Sequence, residues 1–386
     1  MTHKIDVSKG QCIGTVSAQW ASRPDDQKFT SLSALHEQVT TWADESSAVN
    51  VLPADIEVLY DGEDHDTLRL QVAGAEVVPT HWSFDTICRA ASAPSNYMRS
   101  LPAPLAAVNL NYGLKTADPK EVSAYIRQNG TTTLRGITST RYGRILDRDV
   151  VEAVRRIAGN GTGDTRWKVP GCIDWRSEFG VTYNPNVDIT KQNTTLYASD
   201  RDVFLFLVDD RNPIEVGKLD DGSPDLMFRG FYVWNSEVGS KTFGFASMYL
   251  RGVCQNRNLW GVEGFSELTF KHTASAPDRF IEQAIPALEL FSDAGTTKLI
   301  AGVQAAKGAI VAKNDEDRLD FLSRYGFSER AAKRIITTVE AEEGHLPTSV
   351  WDFAQGITAA ARAEEYQEAR IAMEQIAGRM LDKVKA

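Results

Sequence analysis

Between Thr194 and Thr273 five strand-like runs follow one another: TTLYAS, DVFLFLV, LMFRGFYVW, KTFGFASMYLRGV and ELTFKHT. They are rich in aromatic and β-branched residues and are broken by polar, glycine and proline stretches. Strands met in succession over short connections pair antiparallel, because a parallel neighbour needs a long crossover. The expectation is a central antiparallel β-meander backed by helices. From Ala276 the pattern becomes almost wholly helical, and ahead of the strands lies a smaller mixed region, so the chain reads as α+β. Three parts follow: a loosely ordered arm over residues 1–50, an α+β core over 51–275, and a helical region over 276–386. No internal repeat is present.

The lead-in supplies the local signals. IEVLY and LRLQV alternate around the turn DGEDHD and read as strands. Residues 82–112 read as two or three short helices punctuated by proline. Asp118, Pro119 and Glu121 have the spacing of a helix start, with cap, first-turn proline and capping-box acid. NGTTTLRGITS reads as a strand entered through Asn129-Gly130. DRDVVEAVRRIAGNG reads as a helix capped by Asp147, with an apolar stripe of Val150, Val151, Val154 and Ile157 and a stop at Gly159. Near the end, Thr348 has the place of an N-cap for one long final helix. Apolar positions such as Ile335, Ile336, Val339, Trp351, Phe353, Ile357, Ile371 and Ile376 make the tail a packing and assembly element.

Composition bounds the function classes. At 386 residues, 42% hydrophobic and 24% charged, the chain matches a folded globular protein. No apolar run is long enough to span a bilayer and the first residues lack an apolar signal core, so a cytoplasmic protein without membrane contact is expected. Cys12, Cys88, Cys172 and Cys254 are scattered, which favours reduced, mostly buried thiols over disulfides or zinc. The six histidines show no metal spacing, and no cofactor fingerprint occurs, so neither metal nor cofactor is expected. The net charge is −10, but residues 129–260 balance 17 Lys and Arg against 16 Asp and Glu between acidic flanks. A basic groove there is compatible with that distribution.

Four stretches carry candidate chemistry. WNSEVGSKTFGF joins two strands through Gly239 but holds Asn235, Ser236, Glu237 and Lys241 behind Trp234, far more polarity than a hairpin needs. Those groups either cap the corner or meet a ligand. The loop GNGTGDTRWKVPG fits neither a dinucleotide fingerprint nor a P-loop. It could clamp phosphate and base through Arg166, Trp167 and Lys168, or be a plain surface loop. The acidic run DDRNPIEVGKLDDGSPD reads as a solvated hairpin loop in preference to a metal site. Cys254 and His272 are the nearest approach to a nucleophilic pair, with a buried structural cysteine the better reading. Most dense is the interleaving of Arg229, Lys241, Arg251, Arg257 and Lys271 with Phe231, Trp234, Phe243, Trp260 and Phe270. Cations that follow phosphates and rings that stack on bases make a single-stranded nucleic-acid groove. Rings filling a core, with arginines paired to local carboxylates, are the competing account.

The blocks TTLYASDRDVFLFLVDD, RGFYVWNSEVGSKTFGF, LRGVCQNRNLWGVE and FKHTASAPDRF resemble a phage/plasmid-like family of unknown function. HWSFDTICRAASAPSNYMRSLP, VNLNYGL and TSTRYGRILDRDVVEAV fit the same order, so the resemblance covers roughly residues 80 to 290. It implies a mobile-element context and brings no reaction, cofactor or catalytic residue. A meander backed by helices is also similar, at fold level alone, to the core of the phage single-strand annealing proteins. The expectation is a non-catalytic single-stranded DNA-binding or annealing protein, a homo-oligomer, with Arg251, Asn256 and Arg257 nearest the ligand. The alternatives are an anti-defence protein binding a host protein through an acidic surface and, third, a metal-dependent nuclease using Asp200, Asp202, Asp209 and Asp210.

Overall fold

A computed structural model describes residues 24–60, 62, 67–169, 188–192, 194–209, 211–219, 222–251, 257–258, 267–293, 297–364 and 367–384. Among the described residues the first strand is β1 (Lys28–Phe29), followed by helix α1 (Leu32–Asp44). Ser31 caps α1 by accepting from the Ala34 amide at 3.1 Å, and Leu32, Leu35 and Val39 form a fully buried i, i+3, i+7 stripe. Over these residues the loosely ordered arm read from the sequence is corrected. Its buried apolar residues, Leu32, Leu35 and Val39, lie on one face of α1.

A six-stranded sheet follows, built from β2 (Ser46–Val51), β3 (Glu57–Tyr60), β4 (Leu68–Val72), β5 (Ala75–Pro79), β6 (Val122–Asn129) and β7 (Thr131–Ser139). Its order is β2-β6-β7-β5-β4-β3, antiparallel throughout except for the parallel pair β5 and β7. The β6–β7 hairpin turns at Gly130, where φ is +77°, as the Asn-Gly pair indicates. The helix start read at Asp118-Pro119 does not open a helix. The Lys120 amide bonds back to the Asp118 carbonyl at 2.8 Å, and the chain runs straight into β6. Pairing to strands on both sides, with Ala124, Tyr125 and Ile126 buried, overrides the local capping signal.

Helices α2 (His81–Ala90), α3 (Ser95–Ser100) and α4 (Ala103–Lys115) connect β5 to β6 and bury Phe84, Ile87, Leu110 and Leu114 against this sheet. Helix α5 (Asp147–Ala158) comes next, with Val150, Val151 and Val154 facing inward. Leu146, not Asp147, occupies its cap; Asp147 is its buried first residue.

The second sheet is antiparallel and has nine strands among the described residues: β1, β8 (Trp167–Lys168), β9 (Leu196–Ala198), β10 (Val203–Asp209), β11 (Ile214–Lys218), β12 (Pro224–Asn235), β13 (Phe243–Arg251), β14 (Arg257–Asn258) and β15 (Glu267–Phe270). Strand β12 is its spine: β13 runs along one side, β10 and then β11 along the other. Strand β11 lies inside the acidic run read as a loop. Leu205, Leu207, Phe231, Val233 and Phe245 share one face, packed under α1 and α5. Phe204, Phe206, Phe228 and Tyr232 share the other.

The tail holds α6 (Ala276–Arg279), a π-helical turn (Phe280–Ala284), α7 (Ile285–Asp293), α8 (Thr297–Gly308), α9 (Asp315–Ser323), α10 (Glu329–Glu343), α11 (Val350–Arg362) and α12 (Gln367–Asp382). The helical region begins at Ala276, and its Phe280, Ala284 and Leu288 join the central core. The later helices form a core of their own with Ile214, Val216, Met227 and Tyr249 from the sheet. Ser349 caps α11 in a reciprocal capping box with Asp352, one residue after the expected Thr348, and the single final helix is two. The molecule is α+β with a helical C-terminal region. No helix among the described residues is long and apolar enough to cross a membrane.

Candidate nucleic-acid interface

The corner after β12 is where the two sheets meet. Asn235, Ser236 and Glu237 are almost completely buried. Asn235 Nδ2 donates to the Ile145 carbonyl at 2.9 Å and to Asp147 Oδ1 at 2.7 Å. Ser236 Oγ donates to the Arg201 carbonyl at 2.7 Å and accepts from the Val238 and Ser240 amides. The Glu237 carboxylate pairs with Arg135 of β7 and accepts from the Asp147 amide at 2.9 Å, while its carbonyl accepts from Arg144. Gly239, at φ +80°, makes the reversal possible. A tight turn here needs this polarity because it replaces water at a buried junction between sheets.

The electrostatics follow from burial. Asp147 is pushed well above the usual carboxylate range by desolvation and then by the Glu237 carboxylate, against Arg135 and the Asn235 amide. Burial alone would lower Arg135, but Glu237, Tyr125 and Asp200 raise it and hold it charged. Arg127 reaches Asp200 in the same layer, and Arg135 lies 3.9 Å from that carboxylate. Breaking such a pair leaves an uncompensated buried charge.

The outer side of the same turn is different. Tyr142 donates its hydroxyl to the Ser236 carbonyl at 2.7 Å and accepts from the Gly239 amide at 3.1 Å. Its ring stacks on His272 with centroids 4.8 Å apart. The His272 ring donates from Nδ1 to the Gly143 carbonyl at 3.0 Å, and burial lowers its pKa, keeping it neutral. Exposed Arg141 and Lys271 flank this stack, and half-buried Lys241 follows on the turn. On its remaining side, Trp82 donates from Nε1 to the Val238 carbonyl at 3.0 Å. Its ring lies 5.9 Å from the Arg89 guanidinium and 5.4 Å from that of Arg201. Cations and a partly exposed ring therefore surround one turn.

The residues expected to line a groove along the sheet are mostly elsewhere. Trp167 and Lys168 are buried as strand β8 against β10, and half-buried Arg166 lies over the Trp167 ring and 3.9 Å from Asp209, so the loop clamp is not formed. Arg229 is buried on the helix-covered face beside the Tyr249 hydroxyl. Arg251 is buried, bound by both oxygens of Asp225 at 2.8 and 3.1 Å and by Glu343 at 2.6 Å. The reason is strand parity. Arg229 and Phe231 on β12 lie opposite Tyr249 and Ser247 of β13, and Arg251 lies opposite Met227, so all of them share one covered face. Trp234, on the opposite face, stacks on Tyr232 at 5.4 Å, and its indole fills the space a Cβ on Gly244 would need. Lys241 and Lys271 do lie at the surface of the corner. Asn256, Cys254, Trp260 and Asp210 lie outside the described residues, as does the side chain of Arg257, whose backbone forms β14.

The acids of the nuclease reading do not converge. Asp200 and Asp202 stand at one end of the seven-residue strand β10 and Asp209 at the other, about 20 Å away at ~3.3 Å per residue. Among the described residues no group of three His, Cys, Asp or Glu is placed to hold a metal ion. A mixed-charge cleft of about 510 Å³ opens between the sheet and the tail, lined in part by Arg251, Lys307, Glu343 and Trp351. Lys307 meets Asp225 at 2.8 Å there, and Arg251 is held by Asp225 and Glu343.

Arg89, Arg141, Arg201 and Trp82 are the residues of this corner that the sequence pattern does not single out, although TRYGR carries two of the local arginines. Nothing local separates an arginine facing water from one inside a junction. Compared with family profiles, with curated proteins and with solved structures, the chain matches none.

Proposed function

We propose that the protein binds single-stranded DNA without catalysis, through the outer side of the corner between its sheets. The observation that carries this is the clustering of Arg141, Lys241 and Lys271 with Trp82 and Arg89 around one turn that Tyr142 and Trp82 hold in place by hydrogen bonds. Cations on a rigid support follow a phosphate backbone, and a partly exposed indole beside them adds an aromatic contact for a base. The phage or plasmid setting rests on the resemblance of the sequence blocks.

Fluorescence anisotropy with a labelled oligothymidylate tests the reading. Affinity is expected to fall steeply between 50 and 200 mM salt, as counterion release requires. Lys271→Ala and Arg141→Ala are each expected to reduce the salt slope by about one without lowering the melting temperature. Binding that ignores salt, or no binding by the folded protein, would overturn it.

A further inference from the structure

Helix α4 packs beside β3, the edge strand of the six-stranded sheet. Asn111 fastens it there: its Oδ1 accepts from the Val58 amide at 2.8 Å and its Nδ2 donates to the Val58 carbonyl at 2.9 Å. Ala103, Ala106, Ala107, Leu110 and Leu114 are buried on the inner face. The outer face is also apolar. Leu105, Val108 and Tyr112 are 53%, 64% and 73% exposed, and their i, i+3, i+7 spacing sets them in one stripe.

We infer that this stripe is the contact surface for a second copy of the same chain, paired as antiparallel helices about a two-fold axis. Two observations select that occupant. The first is self-complementarity. Val108 stands near the middle of the span from Leu105 to Tyr112, so an isologous pairing sets Val108 against its own copy and Leu105 against the Tyr112 of the other chain. The second is charge. The chain carries −10, so two copies repel over most of their surface, whereas α4 holds a single charged residue, Lys115 at its last position. Contact through this stripe sets no carboxylate of α4 against its copy. The tail is not the stronger candidate, because Ile335, Val339, Trp351, Phe353 and Ile357 are spent inside its own core. One helix face falls below the ~800 Å² per partner of a standard interface, so the dimer belongs in the micromolar range.

Sedimentation velocity on the full chain from ~1 to ~100 μM is expected to show monomer passing to dimer. Val108→Asp should weaken the dissociation constant at least ~10-fold while leaving the melting temperature unchanged, since the residue touches water already. Leu105→Lys is the second variant should the first not fold. Under mild oxidation, Val108→Cys should form a disulfide-linked dimer above the wild-type background, whereas Thr116→Cys should not. In the proposed pairing two copies of residue 116 are about 24 Å apart along the helix axes. A chain that stays monomeric throughout, a Val108→Asp protein that dimerises like wild type, or equal linking at positions 108 and 116 would each overturn the inference. None of these measurements depends on the nucleic-acid reading.

Discussion

Asp147 and His81 illustrate how burial sets the pH response of single side chains. Asp147 has a folded pKa raised above its unfolded value, so its contribution is present at low pH and is lost as pH rises through the folded pKa. Asp147→Asn keeps an acceptor for the Asn235 amide and removes the ionisation. The variant should melt higher than wild type at pH 8, with the gain shrinking toward pH 4; an unchanged difference across that range would reject the account. His81 behaves in the opposite sense. Burial, then Arg99, lowers its pKa from 6.5 to about 4. Its contribution is therefore complete above pH 6.5 and lost as pH falls toward about 4. Urea midpoints measured between pH 7.5 and 4.5 should show this decline, and His81→Asn should flatten it. Cys88, pushed up to about 12 by burial, should react with thiol reagents only after unfolding.

At the scale of elements, the corner separates into an inner and an outer side with opposite expected behaviour. Glu237→Ala strips a buried partner from Arg135 and should cost roughly 3–5 kcal/mol of stability. Lys271→Ala should change stability by less than about 0.5 kcal/mol, because the side chain is already in water. Thermal melts of the two proteins distinguish the sides, and similar losses in both would contradict the geometry. The same contrast marks what was legible in the sequence. Strands β3, β4, β7, β10, β12 and β13 follow their apolar runs because period-two patterning reports burial directly. Strand β6 was masked by a genuine capping signal that long-range pairing overrides, and β11 by flanking acids. For the site, the residue types were legible but not their direction. Arg229, Arg251 and Phe231 alternate attractively along the chain, yet parity puts them on a covered face that only the register of β12 and β13 reveals.

For the molecule as a whole, the helices after α7 cover one end of the large sheet. A chain ending before Thr297 would uncover Ile214, Val216, Met227 and Tyr249 together and leave Arg251 and Asp225 without Glu343 and Lys307. Light scattering should detect aggregation of that truncation, and a soluble truncated protein with an unaltered melt would count against a structural role for the helices. The joint at Glu237 has a wider consequence. Chains of this length commonly unfold in steps, one core at a time. Here Arg135 of one sheet is partnered by a carboxylate of the other, so neither sheet can come apart while the charges of its neighbour stay matched. The two sheets should therefore melt cooperatively, as one thermodynamic unit.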